Sequence, residues 1–242
     1  MRILLASILV IGTTLFSASS FAQDKPKDVA TTEVKSPPPA TTSPVTNAAP
    51  EPLKGIIANS LISDAPLPAD HVLGSKDAKI IMIEYASLSC PHCAHFYGSI
   101  MPDLKKKYID TGKMRYILRQ FPLNEPALKG AVLVNCVGQG DTDKYYLFNS
   151  VLFDAQTKWA FDGNWKSALE TIAAVGGVSK EQFDGCINNK DSEMSAIKAK
   201  KAAMDELHVS HTPYFFIGAE AYTGDITIED ISKFIDSKLA AK

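Results

Sequence analysis

The tetrapeptide Cys90-Pro91-His92-Cys93 closely follows a short apolar run, Ile80 to Ala86. A run of that length and continuity predicts a strand buried on both faces. Proline is favoured at the first position of a helix, so Pro91 predicts a helix start there. Cys90 then becomes the N-cap. Its sulfur faces unpaired backbone N–H groups and the positive end of the helix dipole. Both favour thiolate over thiol, and the thiolate is the attacking species. His92 adds a further donor, or a charge when protonated. Cys93 lies one turn on, on the apolar face. There it is expected to be buried, less ionised and placed to resolve a mixed disulfide.

This arrangement has an energetic direction. Holding Cys90 as thiolate stabilises the dithiol against the disulfide, so the disulfide becomes the better oxidant. Two other uses of the motif are weaker. A structural zinc site wants a second ligand pair at matched spacing, and Cys136 and Cys186 lie fifty residues apart. His92 and His95 would both have to turn inward to assist. An inert structural disulfide does not need a strand-to-helix junction with proline at its first turn.

Around the motif the pattern alternates between helix and strand. Cys93, Phe96, Tyr97, Ile100, Met101, Leu104 and Tyr108 recur at helical spacing. Pro102 is expected to kink that helix. Lys113 to Leu118 alternates as a strand, and the chain is then mostly helical from about Asn124 to Leu207. Ser179 and Gln182 have capping-box spacing. Tyr214 to Ile217, Gly218-Ala219 and Glu220 to Thr223 predict a hairpin with a glycine-first turn. Thr227 opens a last helix carrying Ile228, Ile231, Phe234, Ile235 and Leu239 on one face.

Cys136 shares a helix face with Leu128, Val132 and Leu133, and Cys186 shares one with Phe183 and Ile187. Both are expected to be buried. A bond between them would close a fifty-residue loop, worth about 4 kcal/mol in the chain-entropy account. Two free buried thiols are the alternative. The remaining histidines, His71, His95, His208 and His211, read as surface or packing residues, with His211 nearest the motifs. Trp159 and Trp165 read as packing, and Lys105 to Lys107 as a solvated helix end.

The N-terminus is read apart from the fold. Arg2, the apolar run Ile3 to Ile11, and the small residues of Ser20-Phe21-Ala22 predict a secretory signal peptide over residues 1–22. An uncleaved anchor is the alternative, although the run is shorter than the ~20 residues a spanning helix needs. Residues 23–52 hold seven of the fourteen prolines and no Leu, Ile, Phe, Tyr or Trp, which predicts a disordered linker. Residues 53–242 remain for one domain. The chain is 45% hydrophobic and carries a formal charge of −2. That excludes a multi-span membrane protein, and nothing in it points to nucleic acid as a partner. Export would deliver the four cysteines to an oxidising compartment.

Glu84 to Cys93, ending in Ser89-Cys90-Pro91-His92-Cys93, resembles the active-site region of the DsbA family of periplasmic thiol:disulfide oxidoreductases. The resemblance implies an α/β thioredoxin fold with a helical domain inserted at about residues 122–207. It implies that Thr212-Pro213 is a cis-proline loop facing Cys90 and Cys93, where a client segment could pair with the Thr212 backbone. A Thr before the proline resembles the isomerase branch. The resemblance also implies a buried acid at Glu84, with a pKa raised by desolvation, that accepts or passes the Cys93 proton. The expected site is therefore Cys90, Pro91, His92, Cys93, Glu84, Thr212 and Pro213. The function implied is donation of the Cys90–Cys93 disulfide to reduced client proteins in the periplasm, with no cofactor or metal. An oxidising partner in the inner membrane would restore it. Isomerase or reductase activity on the same fold is the alternative, and a non-catalytic metal-binding module is a further one.

Overall fold

In the computed structural model, residues 69–161 and 163–241 are described. The expected signal peptide, the linker and the start of the domain lie outside them. Among the described residues, no helix is long and apolar enough to cross a membrane.

The run Ile80–Ala86 forms strand β2, and every residue in it is buried. Its alternating side chains feed two different cores. Ile80, Met82 and Ala86 enter the larger cluster, while Ile81, Ile83 and Tyr85 enter a second one on the other face. β2 pairs in parallel with β3 (Met114–Gln120), in a register that sets Met82 beside Tyr116 and Glu84 beside Leu118. On its other side it pairs antiparallel with β4 (Tyr214–Ile217), which pairs with β5 (Glu220–Tyr222). A two-residue strand, β1 (Val72–Leu73), completes the order β1-β3-β2-β4-β5. β1 had no sequence signal, because two residues are too few to show a period.

The chain from Pro91 to Ile109 is helical throughout but not uniformly α. Helices α1 (Pro91–His95) and α2 (Met101–Leu104) alternate with π-helical turns over Phe96–Ile100 and Lys105–Ile109. Pro102 sits in the first turn of α2, directly after the first wide turn. The expected kink therefore takes the form of a π turn, which gives the proline ring room that a regular α turn would deny it.

Between β3 and β4 lies a block of six helices: α3 (Glu125–Val137), α4 (Thr142–Asp154), α5 (Gln156–Trp159), α6 (Trp165–Val175), α7 (Lys180–Ile187) and α8 (Lys190–Leu207). Ser179 and Gln182 make the reciprocal capping box at the start of α7. Ala203 and Leu207 of α8 cover the second face of the sheet. The last helix, α9 (Ile228–Ala240), is capped by the Thr227 side chain, and Ile231 and Ile235 pack into the larger core. The whole is an α/β thioredoxin fold with helices inserted between its two halves.

Two details differ from expectation. At the β4–β5 turn both Gly218 and Ala219 have positive φ, +60° and +70°. The turn is therefore of the primed type with two left-handed residues, not one glycine alone, and Ala219 takes a conformation a side chain disfavours. The second detail concerns Cys136 and Cys186, which are bonded as the fifty-residue loop allowed, joining α3 to α7. Cys186 is buried, but Cys136 is only half-buried and lines a surface cavity with Phe148, Val178 and Gln182.

Candidate active site

The site forms where the buried strand β2 ends and α1 begins. The Cys90 N–H donates to Ser87 O at 2.9 Å, turning the chain out of the sheet. Cys90 is the N-cap of α1, with extended backbone angles (φ −87°, ψ 118°), and Pro91 follows in the first turn. Cys90 and Cys93 are free thiols. Cys90 is 5% exposed and Cys93 is 0% exposed.

The two sulfurs are driven in opposite directions. The Cys90 pKa is lowered to about 5. The largest cause is a hydrogen bond from the Cys93 thiol. The Thr212 side chain and the backbone N–H groups of Cys93 and His92 add to it, against the cost of burial. At pH 7 that favours thiolate by about one hundred to one. Burial pushes Cys93 far above the ordinary thiol range, and its hydrogen bond to Cys90 and the charge of Glu84 push the same way. The His92 side chain is exposed, so this residue serves the sulfur through its backbone N–H.

Thr212 and Pro213 come to the same place from the far end of the chain. Their peptide bond is cis. In the thiol form the Cys90 S–H donates to the Thr212 carbonyl at 3.3 Å. The Thr212 Oγ1 is buried and has no hydrogen-bond partner, so its proton is available to the sulfur once Cys90 ionises. His211, next along, is exposed and packs near Tyr214 rather than entering the site.

Glu84 is fully buried beneath the cysteines. Desolvation raises its pKa to about 8, against the opposing effect of a hydrogen bond from Tyr116. The Tyr116 hydroxyl donates to Oε2, while Oε1 has no partner. A carboxyl so placed is mostly protonated at pH 7, with one oxygen left without a hydrogen-bond partner.

Two contributors escaped the sequence reading. Tyr116, on β3, partners Glu84 from the neighbouring strand; it reads in sequence as one more apolar strand residue. Gln156 is 4% exposed, and its Nε2 donates to the carbonyls of Leu88 and Cys90 at 2.9 and 3.0 Å. A glutamine at the start of a four-residue helix carries no signal of that role.

Similarity to known proteins agrees with this geometry. The Thioredoxin family model matches residues 67–237. A Rickettsia conorii protein, provisionally named a protein-disulfide oxidoreductase, is 35% identical over 170 residues, covering 70% of this chain and 60% of that protein. The chain thus spans about 60% of the length of the curated relatives it matches. The crystal structure of Wolbachia pipientis alpha-DsbA1 superposes with a TM-score of 0.68 at 34% identity, covering 76% of this chain and 96% of that one. Oxidised BdbD of Bacillus subtilis shares the fold, with a TM-score of 0.62 at 20% identity, over 71% of this chain and 94% of its own. The chain belongs to the DsbA family of the thioredoxin superfamily.

Proposed function

We propose that this chain is a thiol:disulfide oxidoreductase that donates a Cys90–Cys93 disulfide to reduced client proteins. The observation that carries the reading is the placement of Cys90 at the N-cap of α1, with Cys93 fully buried one turn on and the cis Thr212-Pro213 loop against the Cys90 sulfur, an arrangement that drives the ionisation of the two sulfurs in opposite directions. A thiolate held at Cys90 makes the dithiol the stable form and the disulfide the oxidant.

The steps balance as follows. A client thiolate attacks the Cys90 Sγ of the disulfide, and the Cys90–Cys93 bond breaks. Cys93 leaves with the electron pair and takes a proton, for which Glu84 is the buried source. A second client thiolate attacks the client sulfur of the mixed disulfide, and Cys90 leaves as the stabilised thiolate. The client loses two electrons and the Cys90–Cys93 pair gains them. In reoxidation the proton path runs backward, with the Glu84 carboxylate taking the proton of Cys93. No soluble cofactor is needed, because the sulfurs carry the electrons.

Client binding fits the Thr212 loop. Only in its protonated form does Cys90 engage the Thr212 carbonyl. Once Cys90 is in a mixed disulfide it has no proton to donate, and the carbonyl is free for a backbone N–H of an extended client. Residues 1–22 would direct export to the periplasm and residues 23–52 would act as a spacer. An oxidising partner in the inner membrane would renew the disulfide. A second reading, isomerase or reductase on the same scaffold, is supported by the resemblance of the Thr before the cis proline to the isomerase branch, whereas the donor that its hydroxyl offers the thiolate works toward oxidation.

Equilibration with glutathione and oxidative refolding of a reduced client test the reading together. The disulfide should oxidise the client and hold a potential above ~−200 mV; a value near the ~−270 mV of reducing thioredoxins would establish the second reading instead.

A further inference from the structure

Gln156 belongs to the helical block, yet both hydrogen bonds from its Nε2 go to the active-site turn. One reaches Leu88 O and the other Cys90 O, at 2.9 and 3.0 Å. The Cys90 carbonyl is the N-cap carbonyl, which also accepts the first helical bond of α1, from the Ala94 N–H at 3.1 Å. A single amide therefore pins both ends of Leu88-Ser89-Cys90 and fixes the peptide plane from which the Cys90 side chain projects.

The donor itself is firmly held. Trp159, one turn along α5, is fully buried and donates its Nε1 proton to Leu152 O at 2.9 Å. Its ring and the Leu88 side chain both crowd Gly130 of α3, where an added Cβ would lie 3.1 Å from each. Gln156 is 4% exposed, so water cannot readily replace its two bonds.

We propose that Gln156 is a positioning residue that holds the Cys90 N-cap in register with the start of α1, so that the helical block sets the orientation of the exchanging sulfur. Two effects act in the same direction. Loss of the amide lets the N-cap peptide turn, and the sulfur loses its alignment with the N–H groups of His92 and Cys93. The negative end of the Cys90 carbonyl dipole, then engaged by the Ala94 N–H alone, is also less neutralised beside the thiolate. Each makes the thiolate less favourable. The inference rests on Cys90 being the sulfur that exchanges with the client and leaves as a thiolate, as proposed above.

The test uses the full chain and two variants. Gln156→Met keeps length and burial but removes both donors; Gln156→Asn keeps the amide but is too short to span both carbonyls. Cys90 is titrated by thiolate absorbance, and the redox equilibrium with glutathione is measured for each protein. Gln156→Met should raise the titration midpoint by at least half a unit and shift the equilibrium toward the oxidised protein about threefold or more. Gln156→Asn should fall between Gln156→Met and the parent, and it answers the question alone if Gln156→Met does not fold. If the parent titrates near 5 and the variants match it in midpoint and equilibrium, with only the melting temperature lowered in both redox forms, Gln156 is merely structural and this inference fails alone. A parent midpoint near 9 overturns the reading of Cys90 and this inference with it.

Discussion

The Cys90 sulfur lies 3.3 Å from the carbonyl oxygen of Thr212, a residue 122 positions further along the chain. One comes from the end of the central strand β2, the other from the loop that enters β4, and those strands are hydrogen-bonded neighbours. Strand pairing thus brings the Cys90 sulfur to a backbone acceptor and a free hydroxyl. The two partners have different uses. The carbonyl suits the thiol, which has a proton to give, and the hydroxyl suits the thiolate, which needs one.

Reduced and oxidised protein should respond differently to pH. Cys90 ionises at about 5 in the folded dithiol, against an ordinary value of 9.0. Between those values the unfolded chain binds one more proton, so the stability of the reduced protein rises with pH. It is lost again as pH falls through about 5. The oxidised protein has no such group. Denaturant unfolding of both forms from pH 5 to 9 should show reduced-minus-oxidised stability climbing, by at most about 1.4 kcal/mol per unit. A difference independent of pH would remove the thiolate from the account.

Glu84 should impose the opposite slope on both redox forms. Its pKa is raised from 4.5 to about 8 by burial. Between those values the folded protein holds the extra proton, so its contribution is complete below about 4.5 and is lost as pH rises through about 8. Glu84→Gln should flatten the pH dependence of the oxidised protein over that range, with greatest relative gain near pH 8. The same variant should slow Cys93-dependent steps, both release of Cys93 from the disulfide and its attack on a mixed disulfide. Stopped-flow exchange with a model peptide resolves them; unchanged rates would deny Glu84 a proton-transfer role.

The parts of this site that were legible in sequence are those set by local chain geometry. A buried strand, a proline at a helix start and two cysteines one turn apart place Cys90 and Cys93 before any tertiary contact is known. Thr212-Pro213 and Glu84 needed the family resemblance, because their nearness to the cysteines depends on strand order and register. Tyr116 and Gln156 were hidden for a further reason. Each contributes one polar atom from an otherwise ordinary packing position, Tyr116 in an alternating strand and Gln156 at the start of a short helix. Pro102 was seen but its outcome was not: the helix absorbs it through a π turn, and nothing in the spacing of apolar residues distinguishes that from a bend.

Thr212→Val should separate acidity from stability. The substitution keeps the side-chain shape and the Thr212 carbonyl but removes a buried hydroxyl that has no hydrogen-bond partner. The oxidised protein should be as stable as the parent or more so by up to ~1 kcal/mol, since an unsatisfied polar atom is lost, while the reduced protein at pH 7 should lose the stability that goes with the raised Cys90 midpoint. The Cys90 midpoint should rise, because the hydroxyl is one of the groups that favour the thiolate. The disulfide then becomes a weaker oxidant. Titration and melting of the same preparation give both quantities. A lowered midpoint would reverse the assigned role of the hydroxyl.

Removing the second disulfide should act on folding first. Cys136 and Cys186 link α3 to α7 across fifty residues of chain. In the chain-entropy account that closure is worth about 4 kcal/mol, an upper value because the unlinked unfolded chain retains some structure. Cys136→Ala with Cys186→Ala should therefore lower the melting temperature clearly in both redox states of the Cys90–Cys93 pair. The bond lies within the helical block and away from the sulfurs that exchange, so the loss should be of similar size in the two states. Calorimetry of the reduced and oxidised double variant measures it. A melting temperature equal to that of the parent would show that the bond does not stabilise the fold. A loss confined to one redox state would instead tie the bond to the active-site pair through the helical block.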